Sequence, residues 1–144
     1  MEPTICSRGV YYEKNGDIVN NGYAFMIYKN NNEYAGSWKN NMRDGEGIMY
    51  YKNGDKCEGE FKNDKLNGKG KYYYKNGDIY EGEFKNNDFD GKGKYWYTDG
   101  EIYEGEFKNN NFNGKGKYFY TDGNIYEGEF KNGLKCKGGI WKYK

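Results

Sequence analysis

From Ile79 to Phe84 the chain reads IYEGEF, and from Gly91 to Tyr97 it reads GKGKYWY. Both alternate in character and are rich in aromatic residues, so each is a strand by period and propensity. Proline occurs once, and no window carries an apolar stripe at helical spacing. Lys75–Gly77, Thr98–Gly100 and Thr121–Gly123 are short turn segments that lead from a GKGKYxY strand into the next IYEGEF. A longer Asn-rich stretch, such as Lys85 to Asp90, is expected to join the two strands within a unit. The pattern predicts an all-β chain of consecutive hairpins.

The pattern recurs every 23 residues. Four full copies begin at Tyr34, Cys57, Tyr80 and Tyr103, and a shortened fifth begins at Tyr126. Upstream, GVYYEKNGDIV from Gly9 matches GKYYYKNGDIY from Gly70, and NGYAFMIYKN is a curtailed copy. A fixed period of this size marks a stacked array, in which each unit buries its apolar face only against its neighbours. One domain is expected. Residues 1–8 form a tail, 9–33 abbreviated units, 34–125 four full units and 126–144 a partial one.

Side-chain pairing fixes the register. With a three-residue Thr-Asp-Gly loop and glycine in the left-handed conformation, Tyr95 faces Tyr103, Gly93 faces Gly105 and Gly91 faces Phe107. On the other face Lys94 meets Glu104, Lys92 meets Glu106, and Trp96 meets Ile102. The charge pairs recur as Lys71–Glu81, Lys69–Glu83, Lys117–Glu127 and Lys115–Glu129. Opposite charges across strands contribute roughly 0.2–1 kcal/mol each, and a one-residue slip would send every side chain to the wrong face. One face is therefore Tyr, Phe and Gly; the other carries Glu and Lys plus one aromatic per repeat. With no second layer to cover the first face, its rings are expected to lie over the glycines of adjacent strands.

Composition agrees. Only 35% of the 144 residues are hydrophobic, while 23 are glycine and 18 are tyrosine, too little aliphatic material for a thick two-layer core. A net charge of +1 with mixed signs argues against nucleic-acid binding, which calls for a basic face. Cys6, Cys57 and Cys136 lie far apart, outside any metal-type spacing, and read as free thiols in a reducing compartment. No segment is apolar enough to span a membrane as a helix, and MEPTICSRG has no signal-type apolar run. A cytoplasmic location is expected.

The glutamate pairs Glu81/Glu83, Glu104/Glu106 and Glu127/Glu129 superficially suggest acid–base chemistry, but each has lysines opposite. Without histidine there is no ready general base at neutral pH, and no zinc-type cluster exists. The GKGK segments resemble phosphate loops by composition only, because no helix follows them. No catalytic residue, cofactor or metal is expected.

The tandem YEGEFKNNDFDGKGKYWYTDGEIYEGEF is similar to the MORN (membrane occupation and recognition nexus) repeat over residues 9 to 144. That repeat runs Tyr-x-Gly-x-aromatic, a loop, Gly-x-Gly-x-x-x-Tyr, then Asp/Asn-Gly. Matching positions include Tyr80, Gly82, Phe84, Gly91, Gly93, Tyr97 and Gly100, and their equivalents from Tyr103 to Gly123. Departures are Asp44, Asn67, Asp90 and Asn113 where the family often has His, Cys57 for the opening Tyr, and Lys137 for a Gly. The resemblance implies an elongated, single-layer, twisted and grooved antiparallel sheet. It also implies a non-enzymatic scaffold or adaptor in a cytoskeletal, ciliary or membrane-associated assembly.

The expected partner-binding groove is the face bearing Tyr80, Phe84, Tyr95, Tyr97, Tyr103, Phe107, Tyr118 and Tyr120. Its rings offer rigid amphipathic area to a helix or an extended peptide; the plain alternative is that they are simply the core. Tyr50, Tyr73, Trp96 and Phe119 form an aromatic row on the charged face, either a second docking surface or packing against Ile79, Ile102 and Ile125. The Lys-Asn stretches at residues 39–41, 62–64, 85–87 and 108–111 offer an alternative function, binding anionic phospholipid. Unpaired sheet edges also invite a second copy of the chain.

Overall fold

The computed structural model describes residues 4–6, 9–13 and 21–144, with side chains from residue 21 onward. Among the described residues fourteen strands form one sheet, and no helix occurs. They are β1 (Thr4–Cys6), β2 (Gly9–Glu13), β3 (Asn21–Ile27), β4 (Glu33–Lys39), β5 (Met42–Tyr50), β6 (Lys56–Lys62) and β7 (Lys65–Tyr73). There follow β8 (Ile79–Lys85), β9 (Asp88–Trp96), β10 (Ile102–Lys108), β11 (Asn111–Phe119), β12 (Ile125–Lys131), β13 (Leu134–Lys135) and β14 (Ile140–Lys142). Strands lie side by side in chain order, with β13 and β14 both pairing with β12. From β3 onward every pairing is antiparallel, as the hairpin pattern predicts. At the start the pattern breaks, because β2 and β3 pair in parallel. Thr4–Cys6, expected as tail, pairs with β2; the second half of the matching stretch GVYYEKNGDIV lies outside the described residues.

The register is the one that side-chain pairing selects. Between β9 and β10, Tyr95 faces Tyr103, Lys94 faces Glu104, Gly93 faces Gly105 and Gly91 faces Phe107. The three-residue loop is closed by the Tyr97 N–H donating to the Glu101 carbonyl (2.9 Å). Gly100 there has φ 96°, a left-handed conformation that favours glycine.

The connection within a unit differs from expectation. It is a two-residue turn rather than a long loop: Lys85 faces Asp88 across Asn86 and Asn87, whose φ values are 49° and 72°. Positive φ at both central residues is the hairpin geometry whose twist matches the flanking strands, and asparagine tolerates it. The residues read as loop therefore belong to β9, and Phe89 is buried. A bulge follows, opposite Glu83, with Gly91 at φ 102°.

The core is a row of aromatic rings laid over glycines. Tyr80 and Tyr103 are fully buried, and a Cβ on Gly93 or Gly116 would sit 2.6 Å from the ring above it. Tyr80 stacks on Phe89 and Tyr103 on Phe112, each with centroids 3.7 Å apart. Such pairs contribute about 0.5–1.5 kcal/mol beyond their buried area. Each hydroxyl donates to a carbonyl beside the bulge, Tyr80 to Glu83 (2.6 Å) and Tyr103 to Glu106 (2.8 Å). Burial pushes both phenols well above the usual tyrosine range.

Neighbouring units are clamped along both edges. On one, the Phe89 N–H donates to Asn110 Oδ1 (2.8 Å), and the Asn110 N–H donates to the Phe89 carbonyl (3.1 Å). Leu66 with Asn87, and Arg43 with Asp64, repeat the arrangement one and two units earlier. On the other edge Asp78 accepts from the Tyr95 hydroxyl (2.9 Å) and the Thr98 N–H (3.0 Å). Asp55 does the same for Tyr72 and Lys75. Partial burial disfavours ionised Asp55, but these hydrogen bonds outweigh it and hold the carboxyl below the usual carboxylate range.

At each end of the ring stack a cation replaces an apolar side chain. The position held by Leu66, Phe89 and Phe112 is Arg43 in the first full unit and Lys135 in the last. Arg43 lies 5.8 Å from the Tyr34 ring centroid and donates to the Asp64 carbonyl (2.7 Å). Lys135 lies 5.0 Å from the Trp141 ring. A cation over a ring face ends the stack with a group that water also solvates.

Candidate binding surface

Tyr80, Phe84, Tyr103 and Phe107, placed by the sequence in a partner groove, are 0–4% exposed. They are the core itself, since a single-layer sheet of this composition must cover glycines with its own rings. Tyr95, Tyr97, Tyr118 and Tyr120 are half-buried against that core. The hydroxyls of Tyr95 and Tyr118 are bonded to Asp78 and Glu101, so both rings serve the clamp between units.

The clefts lie on the opposite face. One of about 880 Å³ is lined by Tyr23, Ala35, Ile48 and the Glu and Lys residues of β5 to β9. A second of about 640 Å³ shares Glu81, Gly82 and Lys92 with it. A third of about 630 Å³ shares Glu104 and Lys115 with the second. Together they form one trough crossing the strands from β3 to β14. Bulky rings fill the other face while glycine pairs thin this one, and bulged strands bend; the open concavity falls where side chains are small.

Two rows run along the trough. The first alternates aromatic and isoleucine residues: Tyr73, Ile79, Trp96, Ile102, Phe119 and Ile125 are consecutive cross-strand neighbours. Trp96 and Phe119 line the clefts, whereas Tyr50 and Tyr73 lie on the same face at the margin. Tyr73 donates to Glu58 (3.0 Å) and carries the Lys56 ammonium over its ring (4.3 Å). The second row is a charge ladder. Lys71–Glu81, Lys94–Glu104 and Lys117–Glu127 approach to 3.4, 3.8 and 3.7 Å. The outer pairs share the register without such approach among the described residues. Glu83 and Glu106 instead accept the Lys92 and Lys115 N–H groups across the bulge.

The N-terminal end of the trough departs from this pattern. Where later units have Lys69/Lys71, Lys92/Lys94 and Lys115/Lys117, the first has Glu46 and Ile48. Glu46 faces Glu60 and Ile48 faces Glu58. Among the described residues no group of three or more potential metal-ligating side chains occurs. Cys57 and Cys136 are free thiols.

The sequence model of the MORN repeat matches residues 34–56, 57–79, 80–102, 103–125 and 126–136, without a gap. The chain belongs to the MORN repeat family. Its MORN array covers the ring stack, the edge clamps and most of the trough. No curated protein matches the chain. Among solved structures, the TCP domain of SAS-4 (dCPAP) of Drosophila melanogaster, in complex with a proline-rich motif of Ana2 (dSTIL), is similar. The identity is 16%, over 84% of this chain and 72% of that one, with a TM-score of 0.48.

Proposed function

We propose that this MORN array is a non-enzymatic scaffold that holds a protein segment in the trough on its Glu/Lys face. The observation that carries the reading is the continuity of three clefts over the array, with Trp96 and Phe119 set into them. A segment lying along the trough crosses the strands, so side chains and not a main-chain ladder hold it. Aromatic anchors flanked by charged residues are the usual makeup of such contacts. The family suggests a cytoplasmic, cytoskeletal, ciliary or membrane-associated setting. The test is capture from native extract by wild type beside the Trp96→Ser/Phe119→Ser variant, read by mass spectrometry. A protein held by wild type and lost by the folded variant supports the trough; capture that survives the substitutions contradicts it.

A second reading, peripheral binding to anionic lipid, has its own observation. Lys39, Lys62, Lys85, Lys108 and Lys131 are all exposed, one per unit, along the edge that carries the two-residue turns. Lysines near an anionic surface contribute about 1 kcal/mol each. Co-sedimentation with phosphatidylserine vesicles that weakens with salt supports it, and indifference to lipid charge removes it.

A further inference from the structure

Resting on the trough reading, we infer that the docking point is its N-terminal end, and that the segment bound there carries Lys or Arg beside an apolar side chain. The charges decide the location. The middle and C-terminal clefts are each lined by three glutamates and three lysines, so their charges balance, and each holds one made pair, Lys94–Glu104 and Lys117–Glu127. A charged partner there meets no net charge to complement. The N-terminal cleft is lined by five glutamates against three lysines, because Glu46 and Ile48 stand where other units have two lysines. Glu81 pairs there with Lys71 (3.4 Å) and Glu58 with Lys56 (3.7 Å), whereas Glu46 and Glu60 have no ion pair among the described residues. Glu46 and Glu60 are both exposed and face each other across β5 and β6, an unfavourable juxtaposition that a cation relieves. The same substitution supplies apolar area: Phe25, Ala35 and Ile48 are consecutive cross-strand neighbours that continue the line of the charge ladder. Tyr23 lies beside them, 67% exposed. A basic side chain between Glu46 and Glu60, with its apolar neighbour on Ala35 and Ile48, satisfies both features.

The test is fluorescence anisotropy on the full chain, with a labelled Leu/Lys peptide and a Leu/Glu peptide of the same length and order. The Leu/Lys peptide is expected to bind at least tenfold tighter, with affinity falling as salt rises. Glu46→Lys with Ile48→Lys restores the GKGK of later units; it is expected to melt like wild type and lose about tenfold in affinity. Glu60→Gln keeps the shape, is the variant to use if the double substitution misfolds, and is expected to lose a smaller part. No Leu/Lys binding, equal affinity for the two peptides, or affinity unchanged in all these variants overturns the inference. Affinity that survives them but falls in Trp96→Ser/Phe119→Ser moves the docking point along the trough and leaves the trough reading standing. If those substitutions change nothing either, both readings fall.

Discussion

The unit from Tyr103 to Ile125 and the stretch from Tyr34 to Ile79 have the same fold and differ on both faces. In the later unit a tyrosine ring covers a glycine pair and stacks on phenylalanine, and every trough glutamate of the inner row has a lysine. In the earlier stretch Cys57 and Leu66 replace the stacked pair, so Gly59 and Gly70 have no tyrosine above them, and Phe84 is the side chain nearest to Gly70. Glu46 and Ile48 replace the trough lysines there. The hairpin register persists through both. The scaffold is thus set by spacing and by glycine, which leaves individual units free to trade regular packing and charge balance for a different surface.

Alkaline pH breaks the comparison on the largest scale. Burial raises the phenols of Tyr34, Tyr80 and Tyr103 above the ordinary value of 10.0, and the Cys57 thiol above 9.0. Groups raised in the folded state stabilise it below their unfolded value and cease to as pH rises through the folded value. Urea midpoints are therefore expected to be flat near neutral pH and to fall above about 9, first through Cys57 and then through the tyrosines. Tyr103→Ala comes next. It removes a buried ring, its stack and its hydrogen bond, and is expected to cost about 3–5 kcal/mol. Cys57→Ala at the equivalent position is expected to cost about 1 kcal/mol, and equal losses by chemical denaturation would contradict the packing difference. Asn110→Ala leaves the Phe89 N–H without its acceptor and places alanine at a positive φ, for about 1–3 kcal/mol. Smallest is Lys94→Ala in the charge ladder, expected within about 0.5 kcal/mol by the same measurement because the pair is solvated.

The register was legible because a period of two, opposite charges and paired glycines all demand the same alignment. The turns within units were not. Asn86-Asn87 reads as loop composition, and only its paired positive φ values make it a tight turn, which returns Phe89 to the core. The candidate trough was legible in Trp96 and Phe119, read as a second docking surface, but not as the face that carries the clefts. Tyr80 and Tyr103 look like a binding row by chemistry, yet they are needed to cover Gly93 and Gly116. Trp96 and Phe119 could be placed on the charged face, but the trough depends on how a sheet with rings on one face bends, which no single strand encodes. The Glu46/Ile48 exchange is visible by aligning units; its meaning appears only when Glu60 is seen opposite.

Methyl NMR on isoleucine, leucine and methionine separates the two faces. Ile48, Ile79, Ile102 and Ile125 all stand on the trough side, while Met49 and Leu66 are buried with the rings. During titration with the Leu/Lys peptide the Ile48 methyl is expected to shift most, then Ile79, with Met49 and Leu66 still. Shifts confined to Met49 and Leu66, with the isoleucines unmoved, would put the partner on the tyrosine face and contradict the account.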